Sequence, residues 1–196
     1  MRLSPIPSLD EGQKALLATL VGADVPPPPP FLMWAHNLDV AHWVEGLGDY
    51  CRNASRLDPR LRVLSMLIPG RHFRSGSMWN AHSEEALRLG FTQDSLDRLA
   101  RGEDPRFAHE DERIFHAFAV QTLAGRGVDD DTYSATVTLL GEEGLLDAIG
   151  CLGSFSLSCM ALNAFQVAIN PQLGWPFDDV TDDERATISG AAEVAA

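Results

Sequence analysis

Lysine is almost missing from this chain. Lys14 is the only one, and fifteen basic residues face 28 acidic ones for a formal charge of -13. A protein that tracks phosphates needs a basic surface, so generic nucleic-acid binding is excluded as the leading expectation. What the charge balance leaves open is a local cationic pocket, for which Arg71 and Arg74 are candidates. Cysteine is also scarce. Cys51, Cys151 and Cys159 are odd in number and form no Cys-x-x-Cys, which argues against a disulfide framework or a thioredoxin-like pair and suits a reducing cytoplasm. Nowhere do eighteen apolar residues follow one another, and MRLSPIPSLDEGQK has no basic region leading into an apolar run. The expectation is therefore a soluble cytoplasmic protein with no membrane partner. Neither Gly-x-Gly-x-x-Gly nor a phosphate-binding loop occurs, so no nucleotide cofactor is implied. Gly153-Ser154-Phe155-Ser156 lacks the spacing and the strand-to-helix setting of a nucleophile elbow.

The chain also lacks any convincing alternating strand. Apolar residues instead recur at helical spacing, which predicts an all-α domain, and 196 residues suffice for one core. Helices are expected over about 9–21, 32–54, 59–68, 75–89, 92–100, 109–125, 130–140 and 142–169. Breakers lie between them: Pro69-Gly70, Gly90, Gly102 with Pro105, Gly125 to Gly127, Gly141 and Asn170-Pro171. Asp58 with Pro59, Thr92 and Asp130 are candidate caps. The run Pro26 to Pro30 predicts an extended polyproline segment of roughly 15 Å, either a stiff arm on the domain or a neighbouring subunit, or a ligand for a proline-binding domain. Three regions result: 1–30, an N-terminal helix and proline-rich arm; 31–170, the helical domain; and 171–196, an acidic tail expected to be mobile or draped over a partner subunit. The segments beginning LDPRLRVLSML and VDDDTYSATVTLL each read as a short capped helix, a break and a longer helix, which suggests a duplicated helical hairpin.

Chemistry concentrates in HFRSGSMWNAH, residues 72–82. If a helix begins near Ser75, then Ser75, Met78 and His82 share one face, and Arg71, His72 and Arg74 precede it, where backbone N–H groups point toward a bound anion. The plainer alternative makes Met78 and Trp79 core residues and His82 a satisfied buried histidine.

This stretch, with its surroundings, resembles the carboxymuconolactone decarboxylase and alkylhydroperoxidase D-like family. LDPRLRVLSML is similar to that family's pre-helix segment, SMWNAHSEEALRLGFTQDSLDRL to its Tyr-Glu-Trp-x-x-His helix and following Ala-x-x-x-Gly-hydrophobic-Thr, and DDDTYSATVTLLGEEGLLDAIGCLGSFSLSCMALNAF to its C-terminal hairpin, over residues 31–170. The resemblance implies a helical bundle, assembly as a trimer or hexamer, and a motif helix lining a pocket near subunit contacts. It places the family histidine on His82 and the tryptophan on Trp79. The peroxidase cysteines fall on Ser75 and Met78, the Tyr-Glu pair on Ser77 and Met78, and the pre-helix acid on Val63. Serine and methionine supply no low-pKa thiolate, so thiol peroxidase activity is disfavoured.

What the resemblance leaves is a cofactor-free lyase or isomerase for a small carboxylated or lactone-like, aromatic-derived metabolite. His82 would be its general acid/base, with His72 or His36 as partner, Arg71 or Arg74 anchoring a carboxylate, and Trp79, Ser75 and Met78 lining the pocket. Two alternatives stand beside it. The missing glutamate and cysteines suit a non-catalytic ligand-binding or assembly subunit. Six histidines invite an iron-dependent oxygenase built from His36, His72, His82 and His116. No His-x-x-x-His occurs, and His109 and His116 lie roughly 10 Å apart along one helix, too far to chelate one ion. Asn163, within an apolar run, is expected to be buried and hydrogen-bonded.

Overall fold

The computed structural model describes residues 1–21, 27, 29–167 and 173–189, and among these no strand forms. The chain is all-α, as the periodicity implies. Its helices are α1 (Glu11–Val21), α2 (Pro29–Leu32), α3 (Leu38–Asn53), α4 (Pro59–His72), α5 (Gly76–Arg88), α6 (Gln93–Arg101), α7 (Glu110–Leu123), α8 (Asp130–Ala164) and α9 (Asp182–Ser189), with a 3₁₀ turn over Trp34–His36.

At the centre lies α4. LRVLSMLIPG is apolar but for Arg62 and Ser65, and of residues 61–70 only Arg62 is not fully buried. A helix with so narrow a polar edge must be largely enclosed, and α4 packs on α5, α7 and α8. The expected stop at Ile68 is wrong for this reason. Pro69 removes one backbone hydrogen bond, yet the helix runs on to His72, because enclosure on every side outweighs the loss. Asp58 and Thr92 cap the helices that follow them, whereas Asp129, rather than Asp130, caps α8, accepting from the Thr132 N–H at 2.8 Å. The single helix expected over 32–54 is interrupted. Asn37 adopts an extended conformation and its side chain accepts from the Val40 N–H at 3.1 Å, so α3 starts afresh at Leu38.

The break expected at Gly141 is present as a kink within α8, where the backbone takes φ 68°, a conformation glycine adopts without strain. The two segments compared above share an order of elements, helix, break and helix. The first folds back through the turn Phe73–Ser75, and the second bends at one glycine. By length and composition α8 contains a window apolar enough to span a membrane, but 56% of it is buried within the chain, as in a core helix.

Both ends depart from expectation. Pro29 and Pro30 belong to the helical turn α2 and not to a polyproline stretch, while Pro26 and Pro28 lie outside the described residues. In the region expected to be a mobile or draped tail, Phe177 and Val180 are buried, Trp79 and Trp175 meet Phe177 edge-on, and the Asn80 side chain donates to the Gly174 carbonyl at 3.0 Å. Residues 173–189 are thus part of the domain; the remainder of the acidic end lies outside the described residues.

Two carboxylate clusters tie the bundle together. Arg60 of α4 donates to Glu112 (2.9 Å) and Asp111 (2.8 Å) of α7. Asp147 of α8, nearly buried, accepts from the Tyr50 hydroxyl (2.7 Å) and the Arg56 N–H (2.8 Å), fixing the end of α3 to α8. Burial alone would raise the Asp147 pKa, but these bonds and the Arg56 guanidinium hold it below the usual carboxylate value. Replacing Asp147 with alanine strands two donors. Urea unfolding of D147A is expected to show a loss of about 2–3 kcal/mol, with a smaller loss for D147N, which keeps an acceptor.

Candidate functional site

Helix α5 carries Met78 and His82 one turn apart on one face and Trp79 on another. His82 opens into a cavity of about 260 Å³ whose walls are mainly apolar, with Phe31, Trp34, Met78 and Phe155 among them. The roof comes from α2 and the 3₁₀ turn. Residues assigned to the N-terminal arm and to the start of the domain therefore close one pocket together. From α8, Phe155 meets the His82 ring at 6.4 Å between centroids.

The polar groups of this cavity are His82, Glu45, Arg52, Ser77 and Ser158. Glu45 and Arg52 are seven residues apart on α3, two turns, and so share the face of α3 turned toward the pocket. Arg52 Nη2 donates to Glu45 Oε2 at 3.3 Å. A Cβ on Gly48 would stand 3.0 Å from Arg52 Nη1, so the absence of a side chain there gives the guanidinium its room. Glu45 is 7% exposed. Burial raises its pKa, and the charge and hydrogen bond of Arg52 offset that only in part. Burial also lowers the pKa of His82, against the opposing pull of Glu85, whose Oε2 lies 3.5 Å from Nδ1. His82 is thereby kept neutral through the physiological range, and Glu45 keeps its proton to a higher pH than a solvated carboxyl. A neutral base and a carboxyl that holds its proton more firmly than usual share one mainly apolar cavity, beside a cation able to hold an anion.

The expected partners of His82 are elsewhere. Arg71, His72 and Arg74 line a separate cavity of about 430 Å³ together with His116, Glu103 and Asp104, and the two cavities have no lining residue in common. Both arginines there are engaged by Asp179. Arg71 holds it through two nitrogens at 3.1 and 2.9 Å and Arg74 through one at 3.3 Å, so they anchor residues 173–189 rather than a ligand beside His82. His36 is exposed and lines neither cavity. Trp79 is a core residue packed on Phe177 and not a pocket wall. Ser75 is fully buried at the start of α5, against the Cys159 thiol. Of the expected lining residues, Met78 alone borders the His82 cavity.

The four histidines considered for iron are not assembled. His82 stands apart from His72 and His116, which share the larger cavity, and among the described residues no three His, Cys, Asp or Glu side chains gather as ligands. All three cysteines are buried in α3 and α8. Burial pushes the Cys159 thiol up to about 12, where it does not ionise at neutral pH. Asn163 donates to the Phe73 carbonyl at 2.7 Å and so secures the turn that launches α5.

Sequence reasoning missed Glu45 and Arg52, although a signal was there. In LDVAHWVEGLGDYCR, Glu45 falls in phase with Ala41, Gly48 and Cys51, the buried face of α3. A carboxylate among small residues on a buried helix face needs a reason.

The lowered pKa of His82 has a thermodynamic consequence. Below the unfolded value of 6.5 the unfolded chain binds a proton that the folded chain resists, so stability falls as the pH drops from 6.5 toward the folded value. His72 and His116, both lowered by burial, act in the same direction, and Glu45, raised by burial, acts in the opposite one. Urea unfolding of His82→Gln between about pH 4.5 and 7 is expected to show a shallower loss of stability on acidification than the parent protein.

Comparison with family models, with curated proteins and with solved structures finds no match to this chain.

Proposed function

We propose that the chain is a cofactor-free lyase or isomerase that moves protons on a small, largely apolar substrate bearing a carboxylate or lactone carbonyl. The observation that carries this reading is the pairing of a lowered histidine and a raised glutamate in one apolar cavity with an arginine beside them. A carboxyl forced out of water weakens a fold unless it is used.

The roles follow from the chemistry of each group. Arg52 has five N–H donors and spends one on Glu45, so its fork can also receive a substrate carboxylate. His82, neutral, takes a proton from the carbon beside the carbonyl, and the resulting enolate faces the guanidinium. In an unsaturated substrate the enolate is a dienolate, and Glu45 delivers a proton to its γ carbon, which shifts the double bond; transfer of the proton from His82 back to Glu45 resets the pair. In a decarboxylation the carbon–carbon bond to the carboxylate breaks instead, carbon dioxide leaves, and the enolate left behind takes its proton from the same acid, which regains one from solvent before the next turnover. The mainly apolar walls limit the water beside His82 that would otherwise quench the enolate. The cavity of about 260 Å³ lies slightly below the usual range for drug-sized ligands, which suits a small metabolite.

The test does not require the natural substrate. Small unsaturated lactones and β-keto acids incubated in deuterated water are expected to gain deuterium beside the carbonyl, followed by nuclear magnetic resonance. His82→Gln and Glu45→Gln are each expected to slow this by about 10²-fold or more. Arg52→Met is expected chiefly to raise KM for carboxylated substrates. A compound that binds in the cavity and is recovered with no deuterium would sink the catalytic reading in favour of a binding subunit.

A further inference from the structure

Helix α3 turns Trp43, Leu47 and Tyr50 outward on one face, and α8 does the same with Leu146, Ile149 and Met160. The helices pack side by side, and a Cβ built on Gly150 would stand 4.0 Å from Leu47 Cδ1, so the two stripes form one continuous surface. Trp43 is 75% exposed and Leu146 71%. With Val40 and Leu157 at the margins, the patch exposes on the order of 800 Å² of side chain, taking roughly 150–250 Å² per large side chain. A monomer seldom shows an apolar patch above about 600 Å², whereas a stable pair of proteins buries about 800 Å² on each partner.

We infer that this α3–α8 face is the contact surface of a homodimer, with the same face of a second copy of the chain as its occupant. Two features favour a second copy. A two-fold contact requires one surface to carry both projections and the recesses that receive them. Trp43 and Leu146 project, while Gly153 lies exposed on the outward side of α8. Glycine inside a helix costs about 1 kcal/mol against alanine, and a Cβ there would meet nothing within 4 Å among the described residues. Packing among those residues therefore does not call for this glycine. Close approach of a projecting side chain from a facing helix does.

The surface is also nearly free of charge at its centre, in a chain of formal charge -13. Two such chains repel at long range, so their contact must be apolar and close. The dimer face is separate from the His82 cavity, and its test is independent of any activity.

Sedimentation equilibrium of the full chain over about 1–100 µM is expected to show mass action between one and two copies of the 21.4 kDa chain. Trp43→Glu and Leu146→Glu should each raise the dissociation constant at least about thirtyfold, as loss of a central anchor does. Both side chains face solvent in the single chain, so circular dichroism should be unchanged; if either variant misfolds, Trp43→Ala serves in its place. A protein that stays monomeric throughout the range overturns the inference, as does a dimer indifferent to every substitution or an assembly larger than two copies. A monomer that instead floats with phosphatidylcholine vesicles would assign the patch to a lipid surface and equally overturn it.

Discussion

Everything in this fold depends on the enclosure of α4. A helix buried along residues 61–70 except at Arg62 cannot lie on a surface, so α5, α7 and α8 must each present an apolar stripe to it. That demand explains why the helix continues through Pro69, and why α5 begins after a turn of three residues held by Asn163. It also fixes the orientation of α5. With Trp79 committed to the core, Met78 and His82 are left to face the gap between α5, α3 and α8, where the cavity forms.

The stretch HFRSGSMWNAH looks like one reactive unit, and the helix geometry divides it. His72, with its neighbours Arg71 and Arg74, belongs to the end of α4 and the turn and points into one cavity; Met78 and His82 point into another. Adjacent residues at a helix start diverge by about 100° each, so proximity along the chain predicts little about a shared site. Glu45 and Arg52, which line the same cavity as His82, come from α3, which packs on α8 and on the 3₁₀ turn.

Secondary structure was legible because it rests on local rules. Apolar spacing located every principal helix, and Asp58 and Thr92 cap where expected. Failures came where tertiary contact outweighs a local preference: the end of α4 at Pro69, the interruption at Asn37, and residues 173–189, whose acidic composition conceals Trp175, Phe177 and Val180. Of the site, His82 and Met78 were readable from their spacing. Arg71 and Arg74 were misassigned because composition reveals a cation but not its counter-ion, and Asp179 lies more than a hundred residues downstream.

Arginine usage separates scaffold from site. Arg60 and Arg71 each hold carboxylates through two nitrogens, mostly at 2.8–2.9 Å, joining segments that would otherwise part. Such forked contacts leave little for a third partner. The Arg52–Glu45 pair joins residues of a single helix, so it ties no segments together, and its one contact is longer, 3.3 Å. Arg74 makes a contact of the same length, but at a more exposed rim and as the second cation on Asp179. Glu45 is buried while Arg52 is 34% exposed, and an ion pair so placed adds little net stability, all the more because this one joins no elements that need joining. Glu45 and Arg52 border the mainly apolar cavity of His82 on one side and a polar cavity with His42, Asp49 and Asn53 on the other, so the pair stands between an apolar interior and solvent, where the burial of Glu45 is offset only in part by its arginine.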